Sequence, residues 1–194
     1  MVHRTLFLLV DFFLTMTVII ALTGTPGAGK TTVAASLNEF YETSTVFDLA
    51  SEMGFLGTRD EIYDADEIDL TGLSNALRSK WGLIPNEIVI VDGHLSHHLP
   101  CDGVIVLRCS PNVLRNRLAE RGYPEWKIND NVEWEILGGP WNDFVTGTVP
   151  WIEFDTTDNA VAKISHRIQE WIGSDMETTE SSKVVDWADE IGGV

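Results

Sequence analysis

Apolar positions in this 194-residue chain fall into short runs separated by amphipathic stretches. Thr17–Leu22 is a continuous, largely β-branched run closed by a glycine two residues on, which reads as a strand buried on both faces. Lys30 to about Tyr41 carries Val33, Ala34 and Leu37 at helical spacing. Thr45–Asp48 reads as a second short strand, and Gly54–Asp64 as a polar, glycine-bearing stretch. Asp66–Trp81 reads as a helix with Ile68, Leu73 and Leu77 turned inward. Glu87–Val91 is an apolar strand ending at Asp92, and Gly103–Arg108 is another. Pro111 opens a helix at its first turn, where a missing N–H is harmless, and that helix runs to about Glu120. Arg121–Asn129 is basic and reads as mobile, leading into a helix near Asn131–Leu137 that Gly138-Gly139-Pro140 breaks. Trp151–Phe154 is a fifth strand and Asp158–Ile172 a closing helix. Val184–Ile191 reads as a last short helix in an acidic tail.

Strands alternating with helices predict an α/β fold: a five-stranded parallel sheet flanked by helices, with right-handed crossovers. Ligands of such sheets bind at the carboxyl ends of the strands. Gly24, Asp48, Asp92, Arg108 and Asp155 all fall at or just past predicted strand ends, so one site is expected there.

The residues between the first strand and the first helix carry chemistry. Gly24-Thr25-Pro26-Gly27-Ala28-Gly29-Lys30-Thr31 fits the phosphate-loop pattern G-x-x-x-x-G-K-[ST]. Glycines let the backbone turn its N–H groups onto a phosphate, and the helix adds its positive end. Lys30 is then a point charge for the β- and γ-phosphates of ATP, and Thr31 a hydroxyl ligand for Mg²⁺. A lysine at a helix start is repelled by the dipole unless an anion compensates. Ile88-Val89-Ile90-Val91-Asp92 has the form of a second acidic strand end, where Asp92 either holds Mg²⁺, directly or through water, or caps a loop. His94 is placed to orient water or a phosphate. His97 and His98 read as exposed loop histidines, with no carboxylate or cysteine spacing that marks a transition-metal site. Arg115, Arg117 and Arg121, with Lys127 beyond, concentrate positive charge in a chain of few arginines, as a cationic lid over a transferring phosphoryl group requires. Arg115 reads equally as a surface residue. A phosphate acceptor needs no general base, whereas an alcohol acceptor needs an Asp or His beside the hydroxyl. Asp92 and His94 leave both open.

Composition narrows the setting. The formal charge is −17, which disfavours nucleic acid as a direct partner and argues against sequence-specific binding to it. It suits either a salt-rich cytoplasm, where surface charge is screened, or a basic protein partner. Cys101 and Cys109 have no paired spacing, so two buried thiols are expected rather than a disulfide or a zinc site. Residues 6–22 are largely apolar, but the strand claims 17–22, and what precedes it is interrupted by Asp11 and short of the roughly 20 residues a membrane helix needs. We read no membrane role. Met16 reads as a natural start, residues 1–15 as an extension outside the fold, 16–173 as one domain and 174–194 as the acidic tail.

Together the motifs resemble the adenylate kinase isoenzyme six family, small P-loop kinases also linked to small ribosomal subunit maturation. The resemblance runs from about Met16 to Ile172, with an echo at Val185-Asp186-Trp187. It rests on residues 24–32, Asp48-Leu49, Tyr63-Asp64, Asp92-Gly93-His94, 117–123 (RLAERGY), 127–131 (KINDN), Glu135-Ile136 and Asp155-Thr156-Thr157. It implies a P-loop NTPase fold like that of nucleoside monophosphate kinases, with a short lid near Glu120–Asp130. It implies the Mg²⁺-dependent reaction ATP + AMP ⇌ 2 ADP, a slow ATPase, and a basic platform ribosomal protein of the small subunit as partner. By that similarity Gly27, Gly29, Lys30, Thr31 and Thr32 hold ATP phosphates and Arg121 caps ATP. Lys30, Asp92, His94 and Arg121 are the catalytic group, with Thr31 and Asp92 at Mg²⁺. AMP lies along roughly Thr45–Ile68, with Asp48, Arg59 and Asp64 as candidate contacts. The chain departs from the family where some members carry an Arg after the Asp-Leu pair: here stand Ala50, Ser51 and Glu52, and Arg59 is the sole Arg of the stretch. Two other readings compete: an ATP-driven ribosome assembly factor whose kinase activity is incidental, and a P-loop kinase of a small alcohol.

Overall fold

A computed structural model describes residues 17–61, 65–82, 87–177 and 185–187. Its main sheet has five parallel strands: β1 (Val18–Gly24), β2 (Glu42–Thr45), β5 (Ile88–Asp92), β6 (Gly103–Arg108) and β7 (Trp151–Asp155), in the order β2-β5-β1-β6-β7. The strand order reverses at central β1, whose carboxyl end therefore opens between two neighbours, the usual ligand position in such sheets.

Alternation along the strands divides the core. Ile20, Leu22 and Ile90 face one layer with α1 (Lys30–Leu37), α4 (Pro111–Glu120) and α6 (Val161–Gly173). Ile19, Val89 and Val91 face the other, with α2 (Val46–Met53) and α3 (Leu70–Trp81). Helices on both faces explain why the strands are apolar at consecutive positions rather than at every second one.

The three strongest strands and the Pro111 helix stand where the sequence puts them, and four segments differ. Residues 46–48 are helical, not strand. Thr45 caps α2, its hydroxyl accepting the Asp48 N–H at 2.9 Å, and Val46, Leu49 and Ala50 are buried at helical spacing. The polar stretch holds a two-stranded antiparallel hairpin, β3 (Leu56–Asp60) and β4 (Ala65–Ile68), so Ile68 belongs to a strand and α3 starts only at Leu70, capped by Asp69. α5 spans Glu125–Ile136, taking up most of the segment expected to be mobile. Its buried positions Ile128, Val132 and Glu135 are helically spaced, but a buried glutamate hides the period from a count of apolar residues. α1 stops at Leu37 rather than near Tyr41. Gly138, in left-handed backbone at φ 101°, ends the α5 region as its sequence predicts. The expected helix at Val184–Ile191 lies mostly outside the described residues. Val185–Trp187 form no helix, and Trp187 is buried against the body. The extension 1–15 lies outside the described residues. Among the described residues no helix is long and apolar enough to cross a membrane.

Candidate active site

β1 delivers the phosphate loop. A Cβ at Gly24 would meet the Leu107 carbonyl oxygen of neighbouring β6 at 2.4 Å, so only glycine lets the strand end this close to its neighbour. Gly29 precedes α1 with φ 93° and gives the helix no side-chain cap, which leaves first-turn N–H groups for an anion. Two side chains brace the loop from behind. Thr156 Oγ1 lies 2.8 Å from the Ala28 carbonyl and 2.9 Å from that of Arg108, and Arg117 reaches the Gly27 carbonyl at 3.4 Å and that of Thr156 at 2.9 Å.

Lys30 Nζ donates to the Gly24 carbonyl at 2.8 Å and the Thr25 carbonyl at 3.1 Å. Burial lowers its pKa to about 8, with Arg121 adding to the fall and Asp92 and Glu135 opposing it. At the end of β5, Asp92 Oδ2 accepts the Thr31 hydroxyl at 3.1 Å, while Oδ1 is buried with no hydrogen-bond partner among the described residues. Burial raises the Asp92 pKa against the pull of Lys30 and Thr31. The Thr31 hydroxyl and the Asp92 carboxylate, one of whose oxygens is unused, form a hard, all-oxygen set that fits Mg²⁺. His94 is exposed, but into a recess. Crowding there and the Lys30 charge hold its imidazole well below the ordinary histidine range, so it is neutral at pH 7.

These groups line one cleft of about 880 Å³, together with Gly27, Gly29, Thr32 and Arg121. Its far wall includes Thr45, Val46, Phe47, Ala65, Asp66 and Ile68, and α5 adds Trp126, Lys127 and Trp134. The volume is within the roughly 300–1,000 Å³ usual for ligand sites.

Some candidates fall elsewhere. The Asp48 carboxylate accepts the Thr45 hydroxyl at 2.7 Å as part of the α2 cap and does not line the cleft. Arg59 pairs with Asp66 at 3.2 Å, one side chain back from the cleft wall. Asp64 lies outside the described residues. Arg115 forms an exposed pair with Glu125 at 2.8 Å, the surface reading of that residue. Arg108 is fully buried and bonds to Glu135 and Glu153 rather than to the cleft. His97 is no exposed loop residue: its side chain is 4% exposed and held between Thr23 and Asp143, while His98 is exposed. Cys101 and Cys109 are free thiols, and burial pushes both up to about 11.

The sequence reading gave no role to the support beneath the loop. Glu135 Oε2 accepts the Thr25 hydroxyl, and its Oε1 accepts the Arg108 guanidinium, the Cys109 N–H and the Trp187 indole N–H. Glu135, Thr156 and Trp187 all lie in stretches that carry the family resemblance, and that was their only signal.

Comparison with known proteins agrees with this architecture. Residues 20–138 match the family model described as an AAA domain. A protein named "Putative adenylate kinase" from Thermococcus onnurineus is 36% identical over 174 residues, covering 89% of this chain and 92% of the relative. A protein of the same name from Archaeoglobus fulgidus is 36% identical over 176 residues, covering 89% and 93%. Another, from Natronomonas pharaonis, is 32% identical over 152 residues, covering 77% and 87%. Among solved structures, shikimate kinase from Acinetobacter baumannii superposes with a TM-score of 0.57 at 18% identity, covering 87% of this chain and 99% of that one, which is a likeness of fold. With the phosphate loop, the parallel sheet and relatives of this identity over nearly their whole length, the chain belongs to the AAA-domain P-loop proteins and, within them, to the archaeal adenylate kinase family that the adenylate kinase isoenzyme six motifs mark.

Proposed function

We propose that the chain is a cytoplasmic adenylate kinase that moves the terminal phosphoryl group of ATP to AMP, giving 2 ADP. The observation that carries this reading is the single cleft joining Lys30, Thr31 and Asp92 to a second wall at Thr45–Phe47 and Ala65–Ile68. ATP phosphates lie on the loop amides and Lys30. Arg121, at the end of α4, screens charge on the transferring group. Thr31 and Asp92 are the residues that would hold Mg²⁺, which would supply neutralising charge to the nucleotide phosphates. The acceptor oxygen of AMP is already anionic, so no general base is needed: the bond from phosphorus to ADP breaks as the bond to AMP forms. The names of the archaeal relatives support AMP as acceptor.

The domain we assign to this activity is 16–173, with 1–15 outside it. Slow hydrolysis of ATP follows when water takes the acceptor's place, and neutral His94 is the group to orient it. A second role in small-subunit maturation, with a basic ribosomal protein as partner, is favoured by the −17 charge.

One assay tests the reading: protein, Mg²⁺ and ATP with AMP, CMP, UMP or no acceptor, in high salt, following ADP. Fast AMP-dependent formation supports a kinase. Only slow, acceptor-independent hydrolysis stimulated by a small-subunit ribosomal protein transfers the role to the assembly-factor reading. In the same assay His94→Ala is expected to harm hydrolysis more than AMP phosphorylation, because only hydrolysis must position a water. Equal losses in the two reactions would remove that role.

A further inference from the structure

His97, His98 and Asp143 come together from two segments, the short 3-10 turn Ser96–His98 after β5 and the turn Gly139–Asp143 after α5. One ligand atom from each lies within 4.8 Å of the other two. The hydrogen-bond accounting at His97 points to what belongs among them. Thr23 Oγ1 lies 3.1 Å from the His94 carbonyl, which only accepts, so the single hydroxyl proton of Thr23 goes there. In that arrangement Thr23 Oγ1 accepts from His97 Nδ1, 3.0 Å away. With the proton of neutral His97 on Nδ1, its Nε2 is a lone pair open to a cation. Nε2 nevertheless faces Asp143 Oδ2 at 3.1 Å, and His98 Nε2 lies 3.8 Å from the same oxygen. In that tautomer two acceptors face each other, an arrangement that a cation between them relieves; in the other, Nε2–H donates to Asp143.

We propose that His97, His98 and Asp143 form a binding site for a borderline divalent transition-metal ion of the zinc class, separate from the oxygen set at Thr31 and Asp92. Two imidazoles and a carboxylate are a ligand set for such ions and a poor one for Mg²⁺. Ligand atoms about 2.0–2.1 Å from tetrahedral zinc stand about 3.3 Å apart, near the 3.1 Å between His97 Nε2 and Asp143 Oδ2, with His98 Nε2 farther from that oxygen at 3.8 Å. The Thr23 hydroxyl supplies the outer hydrogen bond that metal-bound histidines characteristically make through the second ring nitrogen. The indole of Trp151, 5.8 Å from His97 edge-on, and the rings of Trp141 and Phe144 packed against it, give one side an apolar wall. Three protein ligands leave a tetrahedral position free, and all three line the nucleotide cleft.

The test is calorimetric titration of the full chain with zinc chloride alone, in excess Mg²⁺ so that the oxygen set is saturated. One equivalent is expected to bind at micromolar Kd or tighter. His98→Gln and Asp143→Asn, both at exposed positions, are expected to weaken it about tenfold or more with melting temperatures unchanged in the absence of zinc. Thr23→Val leaves all three ligands and is expected to weaken it about 10–100-fold through the lost outer hydrogen bond. No zinc uptake by the folded chain, or uptake that His98→Gln and Asp143→Asn leave unchanged, overturns the site.

Discussion

Replacing Lys30 with methionine is expected to lower AMP-dependent turnover by about 10²–10³, the scale for losing one preorganised donor to a transition state. The side chain is similar in length, so the loop keeps its packing and loses a charge and two hydrogen bonds, those to the Gly24 and Thr25 carbonyls. The readout is kcat for ADP formation at saturating ATP and AMP, and near-normal turnover would remove Lys30 from the mechanism. The same lysine sets a pH dependence. In nucleotide-free protein its pKa is about 8, lowered from 10.5 chiefly by burial. A bound polyphosphate favours the charged form and raises that value again. Linkage then requires ATP affinity to fall as pH rises through about 8 toward 10.5, measured in EDTA so that magnesium plays no part. Stability of the nucleotide-free chain moves the other way. Between those two values the unfolded chain binds the extra proton, so folding becomes more favourable as pH rises. Lys30→Arg is expected to flatten both profiles; an unchanged ATP profile in that variant would assign the titration to another group.

What was legible in the sequence follows the physics that wrote it. β1, β5 and β6 are buried on both faces, so their apolar runs are uninterrupted and their ends could be placed closely. The phosphate loop was legible because its chemistry constrains spacing, and Asp92 because it ends such a run. β3 and β4 were not, since a two-stranded hairpin buries little and its residues are mostly polar. α5 was obscured by Glu135, a carboxylate at a core position. Of the residues that the family resemblance suggests as AMP contacts, Asp48 is engaged in the cap of α2 and Arg59 in its pair with Asp66, which spacing alone does not reveal. From sequence His97 reads as a loop histidine because its partners, Thr23 and Asp143, are 74 and 46 residues away.

Arg108→Met is expected to destabilise the fold by about 3–5 kcal/mol, lowering Tm by roughly 6–20 °C. The guanidinium is fully buried and divides itself between Glu135 Oε1 at 2.7 Å and Glu153 Oε2 at 3.1 Å. Two carboxylates against one arginine leave a net negative charge, which is spread over N–H and O–H donors. These are the Cys109 and Val185 amides, the Trp141 and Trp187 indoles and the Thr25 hydroxyl. Burial pushes the Glu153 carboxyl up, opposed by the Val185 N–H and Arg108. Without Arg108 both carboxylates lose their counter-charge inside the protein, and an uncompensated buried charge is costly. The loss reaches the active site, because Glu135 also holds Thr25, whose carbonyl accepts from Lys30. The folded fraction of Arg108→Met is therefore expected to bind Mg·ATP more weakly as well. Charge is separated from packing by adding Glu135→Gln and Glu153→Gln to the same chain. If uncompensated charge is the cause, the triple variant recovers part of the lost Tm in thermal unfolding, since both buried charges are gone although each new amide NH2 faces a donor that the carboxylate accepted from. A triple variant no more stable than Arg108→Met alone would assign the loss to the shape of the arginine side chain.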